Sequence, residues 1–289
     1  MFSSKLKGIS QAIIPPILLV VLPTTFLGFL ASGSHNWVLV IFALLITTIL
    51  DIGANVINNY ADWEIDIVNN KRTLMHQFLS KSELLLFYGL LVTLVVGLLL
   101  IFKFGVYLYL SVILFLLMGL IYSVGFKLKD RFPLNYAAIA LSYGGLSFLI
   151  GFFAGTNSYS LFITWLPVVI FIVLVDFGYS MTKDYADVDG DSKHNKITLP
   201  VLFGKQKSLS IQLFVITIAY LVLAWLILSS RLNLIFIVLF ACYLFAIYIL
   251  YKVKETDSQT VLEQMHFYSQ LNGLSVRFLI IILLFLTLR

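Results

Sequence analysis

The sequence is short of charged residues and of cysteine. Only 11% of its 289 residues are charged, whereas 61% are hydrophobic. A soluble globular domain carries about 25% charged residues, so that class is excluded. The single cysteine, Cys242, lies within an apolar run and rules out an internal disulfide. The basic residues behind the net charge of +5 lie at the ends of apolar runs, so we do not expect nucleic acid as a partner. An integral membrane protein is the class that fits.

Apolar runs long enough to cross a lipid bilayer recur along the chain. We identify nine of them, at about residues 11–31, 36–58, 83–102, 104–124, 135–155, 160–182, 207–229, 232–252 and 268–288. This pattern predicts an all-α bundle of nine transmembrane helices that forms a single domain over residues 1–289.

The basic residues predict the orientation of the bundle. If the N-terminus is cytoplasmic, fifteen lysines and arginines fall in cytoplasmic segments and three in segments on the other side. Positive charge collects in the cytoplasmic loops of membrane proteins. We therefore expect a multi-pass protein of the cell membrane, with its N-terminus inside and its C-terminus outside.

Two acidic stretches interrupt the apolar pattern, and they match each other. Residues 58–74 read NNYADWEIDIVNNKRTL and residues 183–199 read KDYADVDGDSKHNKITL, with eight of seventeen positions identical at an offset of 125 residues. They end the second and sixth predicted helices, so both face the cytoplasm. Because four helices lie between them, the two copies run in the same direction, which predicts a parallel internal repeat.

Carboxylates recur at one-turn spacing in both stretches. Asn58, Asp62 and Asp66 stand four residues apart, as do Asp187 and Asp191, which places each set on one helix face. Carboxylates so close repel one another, and at membrane depth they are costly unless a positive charge compensates them. Oxygen ligands favour Mg²⁺, which binds one or two carboxylates together with substrate phosphates. Two such clusters with lysines nearby predict a diphosphate site.

Three ionisable residues fall inside predicted spans, where such a group is a functional hypothesis by default. Asp51 and Asp176 match across the offset of 125, so we expect a shared role in ordering the clusters. For Arg277 we expect a pairing with an acidic residue or an approach to a substrate anion. Histidines outside the two stretches are assigned to the membrane interface: His35, His76 and His266.

The two stretches resemble the signatures of a known family, the UbiA-type intramembrane prenyltransferases. The family's first signature, N(D/N)xxDxxxD, is similar to residues 58–66, and its second, (K/N)DxxDxxGD with a KTLPVxxG tail, is similar to residues 183–204. The passage YSVGFKLK at residues 122–129 looks like the family's loop after the fourth helix. The resemblance implies that Mg²⁺ ions held by the two clusters bind a polyprenyl diphosphate, whose prenyl group passes to an electron-rich acceptor.

The resemblance also implies roles for individual residues. The catalytic and metal-binding carboxylates would be Asp62, Asp66, Asp187 and Asp191, with Asn58 as a supporting ligand. The residues that would bind the substrate are Asn58, Lys71, Arg72, Tyr122, Lys127, Lys183 and Asp184. The implied cofactor is Mg²⁺, and the implied active site opens toward the cytoplasm.

The acceptor is less well determined. Most branches of the family read RPLPSG after the first signature, where residues 72–77 here read RTLMHQ. We expect an aromatic acceptor, 1,4-dihydroxy-2-naphthoate of (demethyl)menaquinone biosynthesis, with homogentisate, 4-hydroxybenzoate and a glyceryl lipid as alternatives. A transporter would also suit a parallel repeat, but its acidic residues would lie at the midplane. A CDP-alcohol phosphotransferase would need DxxDGxxAR, whereas residues 187–192 read DVDGDS.

Overall fold

The computed structural model describes residues 2–13, 15–68, 72–193 and 195–287. Within these ranges the chain is helical, apart from short connections and one parallel β-bridge between Arg131 and Ile197. Eight helical segments are long and apolar enough to cross a membrane, and a shorter apolar helical stretch covers Val20–Ala31. The prediction of an all-α, multi-pass membrane bundle is confirmed.

The first acidic stretch lies among the helices of the N-terminal half. These are α1 (Phe2–Ala12), α2 (Pro15–Ala31), α3 (Trp37–Ala61), α4 (Trp63–Val68), α5 (Thr73–Phe78), α6 (Lys81–Phe102) and α7 (Val106–Ser123). Helix α1 packs beside α5, where the Gln11 side chain accepts a hydrogen bond of 3.0 Å from the Met75 N–H. The Asn59 amide donates to the Ala12 carbonyl at 2.8 Å. These contacts fix α1 against the end of α3.

The second acidic stretch lies among the helices of the C-terminal half. These are α8 (Leu134–Ala140), α9 (Ser147–Gly155), α10 (Tyr159–Ser180), α11 (Val188–Lys193), α12 (Leu199–Leu228), α13 (Phe240–Glu255) and α14 (Gln259–Thr287). A π-helical turn over Leu141–Leu146 joins α8 to α9 in one span, and 3₁₀ turns extend α10 over Met181–Tyr185 and precede α13 over Leu234–Leu239. Helix α12 is kinked at Gly204, whose positive φ of 69° favours glycine.

Two helices begin earlier than the apolar runs predict. Helix α12 starts at Leu199 rather than at about residue 207, and α14 starts at Gln259 rather than at about residue 268. The additional turns carry polar residues, which a hydropathy count assigns to loops. In α14, Ser269 and Asn272 are buried and donate hydrogen bonds to Tyr179. Polar side chains that bond to a neighbouring helix are tolerated in this position.

Helices α2 and α9 pack backbone against backbone. A Cβ atom on Gly28 would overlap the carbonyl oxygen of Phe148, and one on Gly151 would overlap that of Thr25. Small residues at such crossings let two membrane helices approach closely. The outer surface of the bundle is apolar, with Leu228 84% exposed, as expected of a surface that faces lipid.

Candidate active site

The first acidic stretch lies where α3 ends and α4 begins. Asp62 occupies the junction, and its N–H still donates to the Asn58 carbonyl at 2.9 Å. The Asp66 N–H donates in turn to the Asp62 carbonyl at 2.8 Å. Because this path is nearly a continuous helix, Asn58, Asp62 and Asp66 keep their one-turn spacing.

The second acidic stretch follows α10 in a similar way. Asp184 lies in the 3₁₀ turn at the end of α10, Asp187 lies between this turn and α11, and Asp191 belongs to α11. The Asp191 N–H donates to the Asp187 carbonyl at 2.8 Å. Both α4 and α11 have six residues and each follows a long helix. The two stretches thus have similar backbone arrangements as well as similar sequences.

Basic side chains neutralise the first cluster. The Lys129 Nζ lies 2.6 Å from Asp62 Oδ1 and 3.0 Å from Asn58 Oδ1. Arg72 donates to Asp66 Oδ2. Burial lowers the pKa of the Lys129 ammonium, while the charge of Asp62 opposes that shift. Each of the two carboxylates therefore has one close positive partner.

Positive charges lie further from the second cluster. The Lys183 Nζ is 3.9 Å from Asp184 Oδ1, and the Lys196 Nζ is 3.7 Å from Asp191 Oδ1. Asp184 is held instead by the Tyr136 hydroxyl, which donates to its Oδ2 at 2.5 Å. Burial raises the pKa of Asp191, and the charge of Lys196 opposes that shift.

Two loops at this end of the bundle are joined by backbone hydrogen bonds. The Phe132 N–H donates to the Ile197 carbonyl at 2.7 Å, and the Ile197 N–H donates to the Asp130 carbonyl at 2.9 Å. These bonds connect the loop that carries Lys129 with the loop that carries Lys196. Lys129, which pairs with the first cluster, and Lys196, which lies near the second, are therefore held by loops that are hydrogen-bonded to each other.

A cavity of about 260 Å³ is lined by residues of both acidic stretches. Asn58 from the first stretch and Lys183 from the second both line it, together with Tyr122. The Lys183 Nζ donates to the Tyr122 hydroxyl at 3.4 Å. The structure thus brings three of the predicted substrate-binding residues to one cavity, and much of the remaining wall is apolar: Val20, Ala54, Phe115, Met118, Ala138 and Ile139.

Other predicted residues lie differently. Lys127 is exposed in a turn with a positive φ of 47°, and Lys129 rather than Lys127 contacts Asp62. Asp187 is exposed to solvent. Lys71 lies outside the described residues.

Helix α14 supplies cavity residues that the sequence interpretation missed. His266, Ser269, Gln270 and Gly273 line the cavity, so His266 is not merely a residue of the membrane interface. The predicted span, residues 268–288, began after His266, which was therefore assigned to a loop, and the other three cavity residues fell inside the span without being recognised as part of a site. The recurrence of these residues at intervals of three and four would have identified a polar helix face.

Arg277 and Asp176 form a buried ion pair at the cavity wall. The Arg277 Nη2 lies 2.7 Å and 2.5 Å from the two Asp176 carboxylate oxygens, and its Nε donates to the Thr24 hydroxyl at 2.5 Å. The expected pairing of Arg277 with an acidic residue is confirmed. In contrast, both Asp51 carboxylate oxygens are buried without a hydrogen-bond partner among the described residues. The two matched acids therefore have different surroundings.

The donor atoms of the two clusters suit Mg²⁺. The candidate ligands are carboxylate oxygens and one amide oxygen, which Mg²⁺ prefers to nitrogen or sulfur. Within the part of the chain that the structure describes, no three acidic, histidine or cysteine side chains are grouped closely enough to hold a metal by themselves. Mg²⁺ commonly takes one or two carboxylates and completes its shell with water and phosphate oxygens. The residues therefore fit Mg²⁺ that binds together with a phosphate-bearing ligand.

Relatives of known identity resemble this chain. The sequence profile of the UbiA prenyltransferase family matches residues 20–271. The digeranylgeranylglyceryl phosphate synthase of Methanocaldococcus jannaschii is 32% identical over 169 residues, which cover 57% of this chain and 55% of that protein. The synthase of the same name from Methanosphaera stadtmanae is 25% identical over 191 residues, 61% of either chain. The chain thus spans little more than half the length of these curated relatives.

Solved structures share the fold over nearly the whole chain. A structure of a digeranylgeranylglyceryl phosphate synthase aligns with a TM-score of 0.73 and 22% identity, over 97% of this chain and 98% of that chain. A UbiA homologue from Archaeoglobus fulgidus bound to DMAPP and Mg²⁺ aligns with a TM-score of 0.71 and 16% identity, over 94% of this chain and 98% of the other. At these identities the likeness establishes the fold. Because the family profile also matches most of the sequence, the chain belongs to the UbiA prenyltransferase family.

Proposed function

We propose that this protein transfers a prenyl group from a prenyl diphosphate to a hydroxyl of a glyceryl phosphate lipid. The observation that carries the proposal is a cavity lined by residues of both acidic stretches, with Lys183 and Tyr122 in its wall. The acceptor class is supported by relatives named for digeranylgeranylglyceryl phosphate. These relatives favour a glyceryl lipid over the dihydroxynaphthoate expected from the sequence, and they do not support a role in quinone synthesis.

The donor diphosphate is proposed to bind at the polar end of the cavity. Lys183 and Tyr122 are available there, and Lys129 and Arg72 can exchange a carboxylate partner for a phosphate oxygen. Asp184 accepts a hydrogen bond from Tyr136, and its carboxylate lies 3.9 Å from the Lys183 ammonium, which it helps to position. We assign Lys71 to the same group of basic residues on the sequence resemblance alone.

Mg²⁺ would be held by the four carboxylates of the clusters, with Asn58 as a further ligand, and it would supply positive charge that stabilises the departing diphosphate. The candidate carboxylates are Asp62, Asp66, Asp187 and Asp191. Before any ligand binds, Lys129 and Arg72 hold two of these carboxylates in place. Their ion pairs keep the first cluster ordered despite its like charges.

The transfer exchanges one C–O bond for another. The bond between the allylic carbon of the donor and its diphosphate breaks, an ether bond to the acceptor oxygen forms, and the hydroxyl proton passes to the released diphosphate. The apolar walls hold the prenyl chain and keep out water, which would otherwise give a prenyl alcohol. Aromatic rings in the wall are suited to a carbon that develops positive charge; they belong to Phe115, Tyr122, Tyr143 and Tyr179.

We propose the following arrangement in the membrane. The chain forms one domain with nine spans when the helix containing Val20–Ala31 is counted, and its N-terminus is cytoplasmic. The fifteen-to-three distribution of basic residues supports this orientation. It places both acidic clusters at the cytoplasmic face, and the similar backbones of the two stretches support a parallel repeat.

A transfer assay tests the proposed function. Purified protein in lipid nanodiscs is incubated with geranylgeranyl diphosphate, MgCl₂ and either geranylgeranylglyceryl phosphate or 1,4-dihydroxy-2-naphthoate. We expect a prenyl ether with the glyceryl acceptor only, and none when EDTA replaces MgCl₂. Product with the naphthoate alone would overturn the acceptor assignment, and absence of product with both would contradict prenyl transfer.

A further inference from the structure

Helix α14 gives the cavity a polar face that the two acidic stretches do not account for. His266, Ser269 and Gln270 line the cavity at the spacing of one helix face. Helix α14 also lies outside the internal repeat that contains both clusters. Ser269 donates to the Tyr179 carbonyl at 3.3 Å, whereas His266 and Gln270 contact each other. These two residues are therefore candidates for contact with a substrate.

His266 has a hydrogen-bond donor that no described residue uses. The amide nitrogen of Gln270 lies 3.1 Å from the His266 Nε2. Because an amide nitrogen can only donate, Nε2 is the acceptor, and the proton of the neutral imidazole is on Nδ1. Nδ1 is buried and has no hydrogen-bond partner among the described residues. A buried donor in that position is unfavourable unless a ligand accepts from it.

The charges at the cavity favour an anion. Lys183 is only loosely paired, at 3.9 Å from Asp184, and Asp184 is already held by Tyr136. The carboxylate in the wall, that of Asp176, is neutralised by Arg277. As far as the structure describes its wall, the cavity therefore offers the positive charge of Lys183 together with the neutral donors of α14.

We propose that His266 and Gln270 bind the phosphate of the acceptor lipid on the α14 side of the cavity. The inference rests on the proposed function. A phosphate monoester has three oxygens, which can accept from the His266 Nδ1–H and from the second N–H of the Gln270 amide. Lys183 also lines the cavity and contributes its charge to both phosphate-bearing substrates. Helix α14 is thus the part of the site that distinguishes a phosphate-bearing acceptor from an aromatic one.

Steady-state kinetics of single variants test this assignment. We compare His266→Leu and Gln270→Leu with Gln264→Leu, a matched control because Gln264 is exposed on the same helix. For both cavity variants the KM for geranylgeranylglyceryl phosphate is expected to rise about 10- to 100-fold, the effect of losing a hydrogen bond to a charged group. The KM for geranylgeranyl diphosphate should stay unchanged. The control should change neither value.

An acceptor without the phosphate separates binding of this group from a structural role. With geranylgeranylglycerol, the wild type should have a raised KM that neither cavity variant raises further. A variant that raises the KM for geranylgeranylglycerol, or for the donor, as much as that for the phosphate-bearing acceptor would overturn the assignment.

Gln270→Glu provides a second test that does not depend on the leucine variants folding. Its carboxylate is expected to repel the acceptor phosphate and to raise the acceptor KM beyond that of the wild type, whereas Gln264→Glu should have no effect. If the wild type transfers to the glyceryl acceptor and Gln270→Glu behaves like its control, the phosphate subsite is wrong while the proposed function stands. If the wild type transfers to neither glyceryl acceptor, both proposals fail.

Discussion

At the scale of single residues, Asp187 and Asp189 are neighbouring carboxylates at the start of α11 with different expected roles. Asp187 is one helical turn from Asp191, so the two share a face, whereas Asp189 is two residues from each and points elsewhere. Asp187 and Asp189 are both exposed. Spacing, rather than burial, therefore distinguishes them.

We predict that Asp187→Asn lowers the transfer rate about 100-fold or more, because a ligand of the ion that stabilises the leaving group is lost. Asp189→Asn removes the same charge two residues away and should keep its rate within about threefold of the wild type. Initial rates at saturating Mg²⁺ and donor measure both. Equal losses in the two variants would contradict the metal assignment.

Lys129 and Lys127 form a second pair of neighbours. The sequence resemblance favoured Lys127, but in the structure Lys129 reaches Asp62 and Asn58 while Lys127 is exposed. We predict that Lys129→Met raises the KM for the donor diphosphate about tenfold, since a charge-assisted contact to phosphate is lost. Lys127→Met should leave the value nearly unchanged. The opposite order of effects would restore the assignment made from sequence.

The choice between these lysines could not be made from the sequence. Both lie in a loop where topology alone favours positive charge, and they are two residues apart. What separates them is the left-handed backbone of Lys127, which begins the turn that carries Lys129 toward Asp62. Such local backbone geometry does not produce a periodic pattern in the amino-acid sequence. In contrast, the carboxylates at four-residue spacing could be identified because helical geometry relates them directly.

At the scale of helices, one buried ion pair connects three of them. Arg277 on α14 contacts Asp176 on α10 and Thr24 on α2, and it is fully buried. Removing one partner leaves an uncompensated buried charge, which typically costs about 3–5 kcal/mol.

We predict that Arg277→Met and Asp176→Leu each lower the stability by that amount. The double variant Asp176→Leu/Arg277→Met should be more stable than either single variant, because no unpaired charge remains. Thermal unfolding in detergent measures all three proteins. If the stability losses of the two single variants add in the double variant, the ion pair itself does not account for the stability.

Helix boundaries show where prediction from sequence succeeds and where it fails. Most predicted spans have a helical counterpart with similar ends, because long apolar runs need no partner to be identified. The starts of α12 and α14 were missed by eight or nine residues, since their first turns are polar. In α14 these turns include His266, one of the residues that line the cavity. A hydropathy count cannot separate a polar helix face from a loop, and so it missed part of the site.

At the scale of the whole molecule, the distribution of basic residues leads to a topology that can be tested directly. The sole native cysteine, Cys242, is buried, so a Cys242→Ala background gives a protein suited to single-cysteine labelling. Reporter sites are chosen among exposed charged residues in the connections on either side: Lys193 and Lys254, and Lys103 and Arg231.

With a membrane-impermeant maleimide on intact cells, we expect labelling of Lys103→Cys and Arg231→Cys only. In inside-out vesicles we expect labelling of Lys193→Cys and Lys254→Cys only. This outcome follows from the retention of positive charge in the cytoplasm. The reverse pattern would place both acidic clusters outside the cell and would contradict their access to a cytoplasmic donor.

The family could be predicted from the sequence, but the acceptor could not. The two acidic stretches are continuous in the chain, so their chemistry is visible as a motif. The cavity instead draws residues from α3, α7, α10 and α14. These residues are distant in the sequence and meet only in the folded protein. No local sequence pattern therefore indicates which acceptor they select.

The glycine contacts between α2 and α9 have a consequence for the time course of assembly. Gly28 and Gly151 fit only against each other's helices, yet every element from α3 to α8 is synthesised between them. At a synthesis rate of about 5–20 residues per second, on the order of 10 s separates the synthesis of Gly28 from that of Gly151. During that interval α2 rests in the bilayer with a glycine groove open to lipid. The contact between α2 and α9 can therefore form only after about half of the chain has been synthesised, and the cavity closes later still, because it also needs residues of α14.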